Sequence, residues 1–466
     1  MKISKKKLMK SLEIFIVLFL LILIYFNGYD SRQKNIFVII TFMINGLIII
    51  LNIVAEQKDF SLNKTFWYFN FFFFFIAPLL QYLSSFKMWN FRISDNLYLK
   101  TNCYVMLCYL IYMFSKVCLI KNHKEMGVKN NKTSFNDITS KASKKYEIIY
   151  SKNILILLMV CSFISFAFLV INISFKGLFI RSLNSLSIGD NTISVILENL
   201  FRSIPIYSTV YSIYYYRQKR EGISIFIIEL IILIMVNFPA SITRYWIGLV
   251  YIGLLLILFG KKINGRKFDI CLIVIFAVIF PIFQLFKWYS FSDLLNGTDV
   301  SKRLFDVYNS VDFDAYSLFA RSINFVAKNG MQLGHQILAS IFFIVPRAIW
   351  PTKPYPTGQF IAMTEKQIFT NLSCPFFAEG YVDFGIIGSL IYTFIISYII
   401  NKMDNVYWNK KENNDNRINL IDFSYPFLFG ILIFLLRGSL QPVVVYTFTF
   451  FIFIFVIKKI CLRKEK

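Results

Sequence analysis

The sequence predicts an all-α polytopic membrane protein with about 12 transmembrane helices and one long extracytoplasmic loop. Of its 466 residues, 57% are hydrophobic and only 16% are charged, whereas soluble domains carry about 25% charged residues. Apolar runs of roughly 20 residues, enough to cross a bilayer as a helix, recur along the whole chain. A β-barrel would instead alternate polar and apolar residues over about ten positions.

Twelve apolar runs are the candidates for these helices. In chain order they lie near residues 9–26, 36–54, 66–84, 98–118, 153–174, 192–215, 222–239, 244–260, 268–287, 383–401, 420–437 and 440–457. The first run is long, and no small-residue cleavage site follows it before NGYDSRQKN. We therefore predict a first membrane span there and not a cleaved signal peptide.

The net charge of +24, from 50 Lys+Arg against 26 Asp+Glu, predicts the topology. If the basic start MKISKKKLMK lies inside, so do the segments 55–65, 121–152, 216–221, 261–267 and 402–419 and the tail KKICLRKEK. Together they hold 31 of the 50 basic residues, whereas the short outer loops 27–35, 85–97 and 175–191 hold six. Basic residues concentrate in cytoplasmic loops of membrane proteins. The charge therefore indicates cytoplasmic termini and membrane-lipid neighbours, and we expect no nucleic-acid partner.

A segment of about ninety residues between the ninth and tenth spans breaks the regular pattern. Its middle run, Ile337 to Val345, is too short to cross a bilayer, so we predict a re-entrant or interfacial helix. Long loops of this kind often carry functional sites. We predict a nine-helix transmembrane region at 1–287, an extracytoplasmic loop with the candidate active site at 288–382, and a three-helix region with a basic cytoplasmic tail at 383–466.

Within this loop the stretch IVPRAIWPTKPYPTG, residues 344–358, cannot form a regular helix. It holds four prolines, at positions 346, 351, 354 and 356, and each lacks an amide donor and clashes with the preceding turn. The restricted backbone would hold Arg347 and Lys353 in place before a ligand binds. Trp350 and Tyr355 are either interfacial anchors or platforms for sugar rings.

Five cations in the predicted outer regions lie beside apolar sequence. They are Arg244 in SITRYWIGL, Arg321 in LFARSINF, Arg347, Lys353, and Arg437 in FLLRGSLQP. A cation in such a place is costly unless it finds an anion, and the planar donors of arginine suit phosphate and carboxylate groups. Two interpretations stay open. Each cation pairs with a nearby Asp or Glu or reaches lipid headgroups, or the group binds an anionic ligand.

The D-x-D sequence Asp312-Phe313-Asp314 is the pattern that holds a divalent metal in nucleotide-sugar transferases. A three-residue match is weak, and nucleotide sugars would be on the other side of the membrane. We interpret the two aspartates as solvated loop carboxylates or as partners of Arg321. We predict no metal site and no cofactor.

The sequence GMQLGHQILASIFFIVPRAIWPTKPYPTG in a long late outer loop, with SITRYWIGL before it and FLLRGSLQP after it, resembles the Wzy-type O-antigen and capsular polysaccharide polymerases. The resemblance implies polymerisation of polyprenyl-diphosphate-linked oligosaccharide repeat units at the outer face of a bacterial cytoplasmic membrane. It also implies a chain-length regulator and a flippase of the same pathway as partners.

By the same resemblance, Arg244, Arg321, Arg347 and Arg437 correspond to the outer arginines of that family. A glycine that the family places eleven residues after one arginine is Gln332 in this chain, counted from Arg321. This departure weakens the assignment of Arg321.

A polymerase of this kind needs donors for a diphosphate leaving group and a base for the acceptor hydroxyl. The outer cations would supply the donors, with Lys353 beside the arginines. His335, the only histidine in the predicted outer regions, and the carboxylate Glu379 are our candidate catalytic residues, and Asp383 is a further carboxylate.

Two other functions remain as alternatives. A GT-C-type glycosyltransferase would carry an acidic pair in its first outer loop, but NGYDSRQKN offers only Asp30. A repeat-unit flippase would have short loops throughout, which the segment 288–382 argues against. Reconstitution separates these functions, because only a polymerase lengthens the glycan.

Overall fold

A computed structural model describes residues 34–129, 146–148, 150–181, 191–279, 307–412 and 419–464. The predicted first span and most of the predicted inner loop 121–152 lie outside the described residues. The helices are α1 (Ile36–Ala55), α2 (Leu62–Leu83), α3 (Asp95–Lys129), α4 (Lys152–Ile173), α5 (Asn191–Lys219), α6 (Ile223–Val236), α7 (Arg244–Phe259), α8 (Gly265–Val274), α9 (Ala315–Asn329), α10 (His335–Ile341), α11 (Thr357–Thr364), α12 (Phe376–Glu412), α13 (Leu420–Arg437) and α14 (Leu440–Cys461). A strand pair, β1 (Tyr146–Ile148) and β2 (Leu462–Lys464), runs antiparallel.

Six of these helices are long and apolar enough to cross a membrane, namely α1, α2, the first part of α3, α4, most of α12, and α13. All six coincide with predicted spans. Three shorter apolar helices, at Ile223–Val236, Arg244–Phe259 and Leu440–Val456, coincide with three more. The prediction of a helical membrane protein is confirmed. The number of 12 spans and the extracytoplasmic position of the loop stay predictions.

Helix α2 is the centre of the larger hydrophobic core. Of its most apolar stretch, 89% is buried inside the protein, against 28% for α1 and for α4. The run Phe71–Ile76 is π-helical, and Phe69 stacks on Phe73 with ring centroids 4.3 Å apart. Because α2 is covered on almost all sides, it anchors the elements around it, whereas α1 and α4 present apolar side chains outward, as lipid-facing helices do.

Helices α4, α5 and α6 form a second packing unit, and a proline explains one of its polar contacts. Pro205 lies inside α5 and cannot donate to the carbonyl of Phe201 one turn earlier. The hydroxyl of Ser165, on α4, donates to that carbonyl at 2.5 Å instead. The neighbouring helix thus satisfies a backbone group that would be costly to leave unpaired in a membrane.

Contacts between loops fall into two groups, at opposite ends of the helix bundle, and the side of the membrane that each end faces stays a prediction. At one end Lys64 forms an ion pair with Asp269 at 3.0 Å, and β1, from the predicted inner loop, pairs with β2, from the basic tail. At the other end Arg244 contacts Asp312, which lies in the predicted outer loop. Segments predicted to share a side of the membrane therefore contact one another.

Helix α12 is broken near its start by Phe384 and Gly385, which leave helical geometry. Gly385 has φ of +61°, a conformation that glycine adopts at little cost. After the break, Gly388 approaches Gly380 so closely that an added Cβ would lie 2.0 Å from the Gly380 carbonyl oxygen. The short segment before the break is folded back against the long helix, which explains why our predicted span begins at 383.

Candidate functional site

Five segments that are distant in sequence meet around the turn Arg437–Leu440, between α13 and α14. They are the start of α7, residues 311–314 before α9, the start of α11, the segment 373–379, and the turn itself. Two of the five predicted cations and the candidate carboxylate Glu379 lie here. Contacts across 59 to 192 residues of sequence hold the segments together.

Arg244, the first residue of α7, is more exposed than Arg437. Its Nη1 donates to Oδ2 of Asp312 at 2.6 Å, and its side chain is 24% exposed. Its Nε and Nη2 donate to no described residue. One edge of the guanidinium is therefore oriented by Asp312, while the opposite edge keeps two parallel donors of the kind that bind phosphate or carboxylate.

Arg437, at the end of α13, is held from several directions. Its Nη1 donates to the hydroxyl of Tyr245 at 3.0 Å, and its Nη2 donates to the carbonyl of Val311 at 3.1 Å and to Oδ1 of Asp314 at 3.2 Å. Oδ1 of Asp312 lies 3.8 Å from the same Nη2. Arg437 therefore fixes the aspartate pair in place, and Asp312 joins the two arginines.

Asp314 is buried and has further partners. Its Oδ2 accepts from the indole of Trp89 at 3.2 Å, and its Oδ1 accepts from the hydroxyl of Ser373 at 3.0 Å. Burial raises the pKa of Asp314, and the Arg437 guanidinium opposes this rise. We call Arg244, Asp312, Asp314 and Arg437 the arginine–aspartate network.

The network corrects our interpretation of the D-x-D sequence. Asp312 is 5% exposed and Asp314 is 1% exposed, so they are not solvated loop carboxylates. Their partners are Arg244 and Arg437 and not Arg321. The sequence carried one indication of this: several outer cations lie beside apolar residues, and such cations need anions nearby.

Glu379, near the start of α12, is buried and connects three segments. Its Oε2 accepts from the hydroxyl of Thr357 at 2.5 Å, and its Oε1 accepts from the backbone amide of Leu440 at 2.8 Å. One residue away on each partner, the amide of Gly358 donates to the hydroxyl of Ser439 at 3.2 Å. In this conformation Glu379 fixes the turn that carries Arg437, and its role as a base stays a prediction.

His335 begins α10 and has an exposed side chain. Asp383 caps the same helix, since its carboxylate accepts from the amides of Gln336 and Ile337, both at 3.1 Å. The Gln336 side chain lies 3.3 Å from the hydroxyl of Thr357. A continuous series of polar contacts therefore runs from the helix that carries His335, through Thr357 and Glu379, to the turn at Arg437.

Arg321 lies on α9, outside the network. Its guanidinium pairs with Glu365 at 2.5 Å, and its Nη1 donates to the carbonyl of Trp89 at 3.4 Å. The same guanidinium lies 5.4 Å from the ring centroid of Phe91. Arg321 is thus connected to the network through Trp89, and it binds a carboxylate of its own.

The proline-rich stretch lacks regular helix between Pro346 and Pro356, as predicted. Both of its cations bind backbone carbonyls of the stretch and its flanks. Arg347 donates to the carbonyls of Lys353 and, at 3.3 Å, Pro354. The Lys353 ammonium donates to the carbonyls of Phe343 at 2.7 Å and Val345 at 2.9 Å. Burial, followed by the charge of Arg347, lowers the pKa of Lys353.

The two aromatic residues of this stretch differ in their contacts. Tyr355 lies under the guanidinium of Arg347, 4.0 Å from ring centroid to Cζ, and is 40% exposed. The indole of Trp350 donates to the hydroxyl of Thr352 at 3.0 Å. Tyr355 therefore helps to hold Arg347, and sugar contacts for either ring stay predictions.

Two further findings concern metal ligands and known relatives. Among the described residues, no group of three or more His, Cys, Asp or Glu side chains could hold a metal ion. The chain matches no protein-family model, no curated protein and no solved structure. The geometry of its own residues therefore carries the functional inference.

Proposed function

We propose that this membrane protein polymerises polyprenyl-diphosphate-linked oligosaccharide repeat units at the outer face of a bacterial cytoplasmic membrane. Both termini would be cytoplasmic, and the end of the bundle that carries the arginine–aspartate network would face outward. The enzyme would be a glycosyltransferase that needs no cofactor. A flippase would supply its lipid-linked substrate, and a chain-length regulator would act with it.

The observation that supports this proposal most is the state of Arg244. Asp312 holds one edge of its guanidinium, the side chain is partly exposed, and Nε and Nη2 donate to no described residue. A diphosphate leaving group gains negative charge as its bond to the sugar breaks, and preorganised donors stabilise that charge. Arg437 would act through Asp312 and the turn at Leu440, as a positioning residue.

The reaction also needs a base that accepts a proton from the acceptor hydroxyl. The hydroxyl at the nonreducing end of the acceptor would attack the anomeric carbon of the donor sugar. The bond from that carbon to the diphosphate oxygen would break, and the hydroxyl proton would pass to a base. The His335 imidazole is exposed, whereas both oxygens of Glu379 already accept hydrogen bonds. His335 is therefore the better candidate for the base.

Deletion of the gene tests the proposal. Cells should still make and display single repeat units but should lose long chains, which gel electrophoresis of the surface glycan would show. Loss of single units as well would instead favour a flippase or an early transferase. Full-length glycan in the deletion strain would overturn the proposal.

The orientation has its own test, in a cysteine-free background. A cysteine placed at Lys328, which is exposed on α9, should react with a membrane-impermeant maleimide in intact cells. A matched cysteine at Lys219, exposed at the end of α5, should not react until the membrane is broken. The opposite pattern would reverse the topology and remove the network from the outer face.

A further inference from the structure

A cavity of about 560 Å³ lies beside the loop between α2 and α3, at the same end of the bundle as the arginine–aspartate network. This volume is in the range of about 300–1,000 Å³ that small-molecule sites occupy. Residues of α2, of the loop and of the start of α3 line it, together with Lys34 just before α1. Of the residues assigned above to the candidate site, none lines this cavity.

The described charges that line the cavity are mostly positive. They are Lys34, Lys87 and Arg92, opposed by Asp95. Lys34 is bound within the protein, since its ammonium donates to Ser85 Oγ at 2.6 Å and to the carbonyl of Tyr82 at 3.1 Å. Lys87 and Arg92 are exposed and make no hydrogen bond or ion pair with any described residue. Two cationic side chains are therefore available for an anion.

The rest of the wall suits a polyhydroxyl compound better than a bare ion. Phe86, which is 37% exposed, supplies aromatic surface, and Ser94 and Asn96 supply hydroxyl and amide groups. A single inorganic anion would leave most of such a cavity unfilled. Aromatic surface, hydroxyl and amide groups, and free cations together match a sugar that carries an acidic group.

The loop that forms this cavity also reaches the arginine–aspartate network. Trp89 lies two residues after Lys87, donates to Asp314, and accepts from Arg321 through its carbonyl. Its ring stacks on Phe369 with centroids 5.1 Å apart. A ligand in the cavity would therefore sit on a loop that is fixed to the candidate site.

We infer that this cavity binds an acidic sugar residue, carrying a carboxylate or a phosphate, within the glycan on which the protein acts. The inference rests on the proposed function and adds its substrate class, an acidic polysaccharide repeat unit. Lys87 and Arg92 are the residues that select the acidic group. Charge-assisted hydrogen bonds from these side chains would distinguish an acidic from a neutral sugar.

The test uses the full-length protein in phosphatidylcholine nanodiscs and isothermal titration calorimetry with tri-galacturonic acid. We expect binding that weakens as NaCl is raised, because salt screens exposed charges, and no binding of neutral maltotriose. The double variant Lys87→Gln/Arg92→Gln should bind at least tenfold more weakly, and Lys87→Arg/Arg92→Lys should restore most of the affinity. Lys328→Gln, a matched change at an exposed lysine of α9, should bind as the parent does.

Several outcomes would overturn the inference. Equal affinity for the acidic and the neutral trisaccharide would do so, as would unchanged binding in the double variant. Loss of trisaccharide binding in phosphatidylglycerol nanodiscs would assign the cavity to a lipid headgroup.

A cellular measurement separates this inference from the proposed function. The double variant should shorten the surface glycan at ordinary protein level. If the gene deletion leaves the glycan unchanged while the trisaccharide still binds, the polymerase proposal fails and the acidic-sugar site stands without its link to polymerisation.

Discussion

Both the arginine–aspartate network and the proline-rich stretch hold cations beside apolar sequence, but they satisfy them differently. Arg244 and Arg437 bind carboxylates 68 and 123 residues away in sequence. Arg347 and Lys353 bind backbone carbonyls six to ten residues away. The network therefore joins separate helices, whereas the cations of the proline-rich stretch shape their own backbone.

In this chain, cations placed among prolines stabilise the backbone of their own stretch. Prolines restrict the backbone but remove amide donors, so carbonyls in such a stretch need other partners. Arg347 and Lys353 supply them. The cations of a rigid stretch can thus stabilise the fold of that stretch. Arg244, whose Nε and Nη2 donate to no described residue, lies on a regular helix elsewhere.

The largest expected effect comes from Asp314→Ala. It leaves the Trp89 indole and the Ser373 hydroxyl without their acceptor and removes the carboxylate that accepts from Arg437. Removing one partner of a buried ion pair costs about 3–5 kcal/mol. We expect a large drop in the free energy of unfolding, measured on the purified protein in detergent, and low protein level in the membrane.

Asp95→Ala, at an exposed aspartate in the first turn of α3, is the matched control. It should cost less than about 1 kcal/mol, the usual size of a helix-dipole effect. If the two variants unfold alike, the network does not hold the helices together.

The second prediction separates ligand binding from positioning. Arg244→Ala should reduce polymer formation about ten- to hundredfold at normal protein level, since a lost charge-assisted bond costs about 1.5–3 kcal/mol. Lysine at this position should restore activity only in part, because it lacks two parallel donors. Arg437→Ala should lower the protein level as well. Glycan gels measure the polymer, and immunoblots measure the protein level. A normal amount of polymer from Arg244→Ala would show that this arginine has a structural role only.

A smaller effect is expected from Arg347→Ala, because its guanidinium contacts carbonyls and a ring of its own stretch. Backbone amides of residues 346–356 should exchange hydrogen faster in this variant, while the polymer shortens less than in Arg244→Ala. Hydrogen exchange followed by mass spectrometry measures the first change. A loss of polymer as large as that of Arg244→Ala, with unchanged exchange, would instead assign Arg347 to the ligand.

The smallest expected effect is the pH dependence contributed by Lys353. Its pKa is lowered in the folded protein, below the unfolded value of about 10.4. Between these two values the unfolded chain binds more protons, so the stability contributed by Lys353 rises with pH. The free energy of unfolding of the parent, relative to Lys353→Met, should increase as the pH rises toward the unfolded value of about 10.4. A constant difference would show that Lys353 titrates normally.

Single residues show which parts of the candidate site could be predicted from the sequence. Arg244 and Arg437 were identifiable because a cation beside apolar residues needs an anion. Their partners were not, since Asp312 and Asp314 lie in a polar stretch with the composition of a solvated loop. Trp89 gave no signal at all, because nothing local distinguishes it from an interfacial anchor, and only its contact with Asp314 connects it to the site.

The sequence by itself determined that this is a helical membrane protein, and it determined the position of most of the described helices. Apolar run length, proline chemistry and the distribution of lysine and arginine are local properties, and each acts within one helix or one loop. The tertiary structure decided which charges are paired. The energy of an ion pair depends on distance and burial, and the contacts between Arg244 and Asp312 and between Arg437 and Asp314 exist only when α7, α13 and the segment before α9 have packed together.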